Sequence, residues 1–227
     1  SLRLYDYNAG FSFDLTTSQV FRDVSAWYHI VLTYDSTQAT SSNRTKLYVN
    51  GTQVTAFASA TYPSLNQNTS WFNNNVVHTL GVLSFTASNY FSGYMTEVNF
   101  IDGQALTPSS FGETNAQTGV WQPKAYSGSY GTNGFYLNFS DNSNTTAATL
   151  GKDYSGNGNN WTPNNFSVTA GVGNDSLVDS PTSYGTTDTG VGGEIRGNYC
   201  TLNPLINTSG YATLSNGNLD VVPDSTH

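Results

Sequence analysis

Along most of this chain apolar and polar side chains alternate with a period of two, the spacing of a β-strand rather than of a helix. Across 27–34, Tyr28, Ile30, Leu32 and Tyr34 fall on one face and Trp27, His29, Val31 and Thr33 on the other, which predicts a strand buried on both sides. Residues 46–54 place Asn50-Gly51 between strand formers. Both central residues of a type I′ turn need positive φ, which Asn and Gly tolerate, so a hairpin is expected there. Further strands are expected over 94–101, before the turn pair Asp102-Gly103, and over 134–139, where Phe135, Leu137 and Phe139 share a face. The one good helical signal is Thr107-Pro108-Ser109-Ser110-Phe111, a capping hydroxyl ahead of proline, enough for one or two turns. Short strands with turn-rich connections predict an all-β fold, an antiparallel β-sandwich or a barrel.

The pattern thins along the chain. Residues 1–122 carry the clear strands, and 123–169 form a β-rich extension of aromatic anchors between Gly/Asn loops. Residues 170–227 hold few large apolar side chains, and 185–193 are nearly featureless. That last stretch reads as a linker or extended arm that a neighbour orders, or else as a long surface excursion of the same domain. The 227 residues include 83 Asn, Ser and Thr against a charged fraction of 10%, so solubility rests on amides and hydroxyls. A net charge of -8 excludes a nucleic-acid footprint and a polybasic membrane patch. No apolar run approaches the roughly 20 residues of a membrane helix. Cys200, the single cysteine, has no partner for an intrachain disulfide.

Three segments taken in order carry a resemblance: Phe21-Arg22-Asp23-Val24-Ser25-Ala26-Trp27-Tyr28-His29-Ile30-Val31, then Lys46-Leu47-Tyr48-Val49-Asn50-Gly51, then Phe91-Ser92-Gly93-Tyr94-Met95-Thr96-Glu97-Val98 leading to Ala105-Leu106-Thr107. Together they resemble a laminin-G-like, concanavalin A-like jelly roll. The resemblance implies a β-sandwich over 1–122. A narrower similarity links 134–139, 153–161 and 175–182 to structural proteins of tailed bacteriophages, in which stretches like 197–205 and 214–220 lead into a SPRY-type module. Only 26 residues precede Trp27, fewer than the several strands such a jelly roll carries there. The missing strands are therefore expected upstream, in a longer polypeptide, or from a neighbouring chain, since an open edge invites aggregation.

The fold superfamily includes glycoside hydrolases, so hydrolysis has to be weighed. A retaining mechanism needs two carboxylates about 5–5.5 Å apart, which on one strand means positions i and i+2. None of Glu97, Glu113 and Glu194 has an acidic residue two positions away, and Glu97 reads as a hydrogen-bonding residue on a sheet face. His29 and His78 read as strand packing and His227 is the last residue, so no Ser-His-Asp arrangement is expected. Without Cys-x-x-Cys or paired histidines a zinc site is not expected either. Calcium is the one metal to consider, because the jelly rolls it resembles bind it through Asp, Asn and backbone oxygens. Asp153, Asn157 and Asn159 offer such oxygens on a tight loop, with Asp141 as a fourth candidate. The competing reading is an Asx-turn loop that satisfies its own backbone.

Glycan recognition combines aromatic faces for the apolar side of a sugar with amides and hydroxyls for its OH groups, and the chain is rich in both. Loop candidates are Tyr62, Trp71, Phe72, Asn73, Asn74, Tyr90 and Trp161, with 66–75 the most concentrated stretch. A plain exposed loop or a protein contact is the competing reading. With the resemblance, these features imply a non-catalytic virion structural protein (tail fibre, spike or capsid decoration) at the extracellular virion surface. It would assemble with copies of itself, as a trimer for a fibre, and with other virion proteins, and attach to a host-surface glycan. A bacterial cell-surface or secreted adhesin, and a structural cement without ligand, are the alternatives.

Overall fold

A computed structural model describes residues 1–7, 11–71, 74–83, 88–170, 173–182, 197–202 and 212–223. Phe72, Asn73, Glu194, His227 and 185–193 lie outside the described residues. The chain is all-β: every sheet pairing is antiparallel, and only two single-turn 3-10 segments, Ser41–Asn43 and Pro108–Ser110, occur among the described residues. It forms two compact units. One comprises Ser1–Val24, Tyr28–Met95 and Ala105–Pro108, the other Ser25–Trp27, Thr96–Gln104 and Ser109–His227.

The first unit holds β1 (Arg3–Tyr7), β2 (Phe11–Thr17), β3 (Ile30–Tyr34), β4 (Thr45–Val49), β5 (Thr52–Gln53) and β6 (Phe57–Thr61). They make two three-stranded sheets, ordered β1-β2-β6 and β3-β4-β5. β2 is central, so its inward side chains are the most enclosed: Phe13 and Leu15 are fully buried, and Leu47 and Val49 of β4 are nearly so. Phe13 meets Tyr34 across the two sheets with ring centroids 5.8 Å apart. Two of these strands, β1 and β2, precede Trp27.

The expected strand over 27–34 is shorter, beginning at Ile30. Trp27 belongs to the second unit, where its indole N–H donates to Asp179 Oδ2 at 3.4 Å, so it cannot also extend β3. The Asn50-Gly51 hairpin forms as read, with φ of 47° and 78° joining β4 to β5. Asn50 also closes the ladder beyond Ile30: its amide donates to the His29 carbonyl at 2.8 Å, and its Oδ1 accepts the His29 amide at 2.8 Å. His29 itself is half-buried, and burial holds its imidazole below the ordinary value.

The second unit holds β7 (Val98–Phe100), β8 (Gly112–Thr114), β9 (Trp121–Pro123), β10 (Phe135–Leu137), β11 (Ala212–Ser215) and β12 (Asp220–Pro223). β7 pairs with β10, β8 with β9 and β11 with β12. The strand expected over 94–101 is thus cut to three residues, because Glu97 takes φ of 54° and breaks the extended run. Phe139, with φ of 56°, ends the run after β10 in the same way. The helical signal yields one 3-10 turn, and β9 straddles the expected division at residue 122. The stretch 170–227, read as a linker, extended arm or surface excursion, contains the β11–β12 hairpin, whose turn uses Asn216, Gly217 and Asn218, all at positive φ.

Core position rather than hydrophobicity decides what a truncation costs in this fold. Leu47→Ala, at 1% exposure, is expected to lose about 2–5 kcal/mol in urea denaturation. Ile30→Ala, at 41% exposure on the neighbouring strand, is expected to lose well under half of that.

Candidate functional site

In the first unit the loop carrying most glycan candidates is fastened at its base. Asp6, 2% exposed, accepts the Ser70 amide at 3.1 and 3.2 Å and the Ser12 hydroxyl. Tyr34 donates its hydroxyl to the Gln67 carbonyl at 2.7 Å. Arg44 spreads its guanidinium over three carbonyls, those of Gln38, Ala39 and Pro63. Beyond these anchors the Trp71 carbonyl accepts the Asn74 amide at 3.3 Å and meets His78 Nε2 at 2.9 Å, which brings Trp71 and Asn74 into one turn. Tyr62 follows β6 directly and is half-buried. Tyr90 sits in a separate closure made by the Leu83–Ser88 bridge and the Phe91 amide on Gly81, and is 69% exposed. Val77, Phe91, Tyr94 and Met95 of the same segment are exposed as well. Phe72 and Asn73 lie outside the described residues.

A second surface of this unit, absent from the sequence-based candidates, is the outward face of the β1-β2-β6 sheet. The register shifts between Asp6 and Tyr7, pairing Tyr7 with Phe11. A bulge of this kind re-aims side chains. Here Ser12 serves Asp6 while Phe11 joins Tyr5 and Tyr7. The rings form edge contacts, Tyr5–Phe11 at 5.7 Å and Tyr7–Phe11 at 5.1 Å. Arg3 stands 4.8 Å from both the Tyr5 and the Phe11 ring centroids. Its Nε and Nη2 donate to Asp14 Oδ1 and Oδ2 at 2.9 and 2.6 Å. The Arg3 hydrogen bond holds the Asp14 carboxyl below the ordinary carboxylate range. Thr16, Ser59 and Thr61 stand in register with Arg3, Thr16 and Asp14, so their hydroxyls belong to the same face. The signal was available: Arg3, Tyr5 and Tyr7 alternate with Leu4 and Asp6.

In the second unit the proposed calcium residues do different work. Asp153, 6% exposed, accepts the amides of Tyr136 and Ser155 at Oδ1 and the Ser155 hydroxyl and Asn159 amide at Oδ2, all at 2.8–2.9 Å. Burial pushes its carboxyl up, but these four donors outweigh burial and hold it below the ordinary carboxylate range. The Asn157 and Asn159 side-chain amides donate to the Gly131, Thr132 and Gly134 carbonyls. Asp141 caps the amide and hydroxyl of Ser143. The loop is therefore an Asx clasp that fixes 151–160 to β10, and its carboxylate oxygens each already take two donors. Trp161 closes the clasp: its amide donates to the Gly151 carbonyl at 2.8 Å, and its ring packs on Phe135 at 4.9 Å. Gly151 is obligatory there, since a Cβ would collide with the Trp161 carbonyl.

Sequence reasoning also missed a tyrosine cluster on the β7–β10 pair. Tyr136 donates its hydroxyl to Glu97 Oε2 at 2.5 Å, and Tyr130 donates to Asn99 Oδ1 at 2.8 Å. The two rings stack at 6.3 Å, with Tyr126 edge-on to Tyr130. Burial first, and then the neighbouring Tyr126, Glu97 and Asp153, push the Tyr130 phenol well above its ordinary value. Glu97 is thus a hydrogen-bonding residue, as read from sequence, but it stands just ahead of β7 at positive φ rather than on the sheet face.

Residues 1–110, just under half of the chain, match the model of the concanavalin A-like lectin/glucanases superfamily. No curated protein and no solved structure matches the chain.

The clasp makes a signed prediction. Folding lowers the Asp153 pKa, so its contribution is complete above the unfolded value near 4 and vanishes as pH falls through the lower folded value. Asp153→Asn is expected to flatten that acid limb of stability in denaturation curves recorded against pH. Asp153→Ala, which strands four donors, is expected to cost about 3 kcal/mol or more at neutral pH.

Proposed function

We propose that this chain is a non-catalytic β-sandwich module that binds a surface glycan and assembles with copies of itself as a structural part of a virion. The observation that carries the glycan reading is the display of exposed aromatic side chains on the unit covered by the lectin/glucanase match. Tyr7, Phe11, Tyr90, Phe91 and Tyr94 are each between 49% and 69% exposed. Exposed aromatics in such number cost solvation unless a partner covers them. The chain as a whole is rich in amides and hydroxyls and poor in ions, and those groups match sugar hydroxyls without imposing a charge.

The non-catalytic reading is supported by what the carboxylates do. Asp153 is saturated by four donors, Glu97 is tied to a phenol, and Asp14 is held by a guanidinium. A general acid needs a raised pKa, whereas Asp14 and Asp153 are lowered. The virion context is supported by the similarity of 134–139, 153–161 and 175–182 to phage structural proteins. The exposed apolar stretch of Val77, Phe91, Tyr94 and Met95 supports contacts between protein chains.

The purified chain is expected to bind several related glycans on an array, to release no reducing ends from those glycans, and to scatter light as a trimer. A blank array would overturn attachment and leave the cement reading. New reducing ends would overturn the absence of catalysis, and a monomeric mass would overturn self-assembly.

A further inference from the structure

We infer that the outward face of the β1-β2-β6 sheet is a binding surface for a neutral glycan chain, separate from the loop that carries Tyr90. This rests on the glycan reading above and assigns it a place and a ligand class. Three observations converge. Tyr5, Tyr7 and Phe11 are 37%, 52% and 49% exposed, yet hold one another and Arg3 in fixed ring contacts, so little side-chain entropy is left to lose on binding. The bulge at Asp6/Tyr7 is what sets Tyr7 opposite Phe11.

The second observation is the ion pair. Arg3–Asp14 is the one salt bridge between described residues, and it lies on this exposed face. Such pairs contribute little to stability. Two of the five guanidinium N–H groups are spent on Asp14, which leaves three donors, while the Asp14 carboxylate takes the Thr16 side chain as well as Arg3. The pair is neutral as a whole while rich in donors and acceptors, which complements vicinal hydroxyls rather than an ionised ligand.

The third is size. Two inter-strand spacings by the length of β2 give a footprint of about 10 by 20 Å, on the order of 200 Å². A stable protein interface needs roughly 800 Å² from each partner. The face is too small for a second copy and suits a short run of sugar rings.

The test uses affinity electrophoresis of the full chain in gels holding dextran, mannan, agarose or alginate. The expected result is retardation by at least one neutral polymer that persists at about 0.5 M NaCl, where charge interactions are screened within a few ångströms. Tyr7→Ala and Phe11→Ala are each expected to weaken it about tenfold, as loss of a central aromatic contact does. Retardation untouched by both and abolished by Tyr90→Ala would overturn this surface and leave the glycan reading standing. Binding to alginate alone, lost in salt, would overturn the neutral ligand. No retardation by any polymer would overturn this surface and the reading it rests on together. A dimer dispersed by Tyr7→Ala would show a second copy as the occupant, against this proposal. Should the alanine variants not fold, hydroxyl-radical footprinting of the wild type replaces them: Tyr5 and Tyr7 protected by the polymer would support the surface, and equal oxidation would overturn it.

Discussion

β2 is hydrogen-bonded on both edges, and that constraint organises the first unit. A strand with β1 on one side and β6 on the other has no freedom to slip, because a shift of one residue would turn Phe13 and Leu15 out and Asp14 and Thr16 in. Full burial of Phe13 and Leu15 therefore determines the outward set as firmly as the inward one. The only irregularity allowed near its start is the bulge between Asp6 and Tyr7, which leaves the core side of β2 in place. Surface display in this unit is thus a by-product of core registry, held by burial rather than by the weak forces acting at the surface itself.

Much of this was legible in the alternation of side chains. The all-β class, the Asn50-Gly51 hairpin and the strand at Phe135–Leu137 follow from local rules that tertiary packing did not override. The overestimates share a cause. Trp27 and Glu97 sit in runs of strand-forming residues, but Trp27 is engaged by Asp179, 152 residues later, and Glu97 adopts a positive φ beside a hydrogen bond from Tyr136. Periodicity reports which face a residue would take if extended, and carries nothing about a distant partner that competes for it. The outward face of β1 was missed for a different reason. The alternation of Tyr5 and Tyr7 with Leu4 and Asp6 places them on one face, and only the bulge, invisible in periodicity, sets Tyr7 beside Phe11.

The second unit shows what a chain poor in ions uses instead. Within the loop 151–160, and between it and residues 131–136, Asp153, Asn157, Asn159 and Asn160 make side-chain bonds to backbone groups. A side-chain amide bonds backbone with neither the repulsion nor the desolvation cost of an ion. The abundance of Asn, Ser and Thr is therefore structural as well as solubilising. The same Asp and Asn residues that resemble a cation site in sequence here serve backbone groups, Asp153 through its oxygens and Asn157 and Asn159 through their side-chain N–H groups.

Asp6 connects the two surfaces of the first unit. Its carboxylate takes the Ser12 hydroxyl from the bulge side and the Ser70 amide at the base of the loop that leads to Trp71. The first contact belongs with the altered register that sends Phe11 outward, and the second fixes where the loop departs. A buried carboxylate left without such donors would be costly, so each contact stabilises the other's partner in place. Loop placement and sheet-face display are consequently not independent features: both depend on one enclosed side chain, and a change that frees either Ser12 or Ser70 must also disturb the other surface through it.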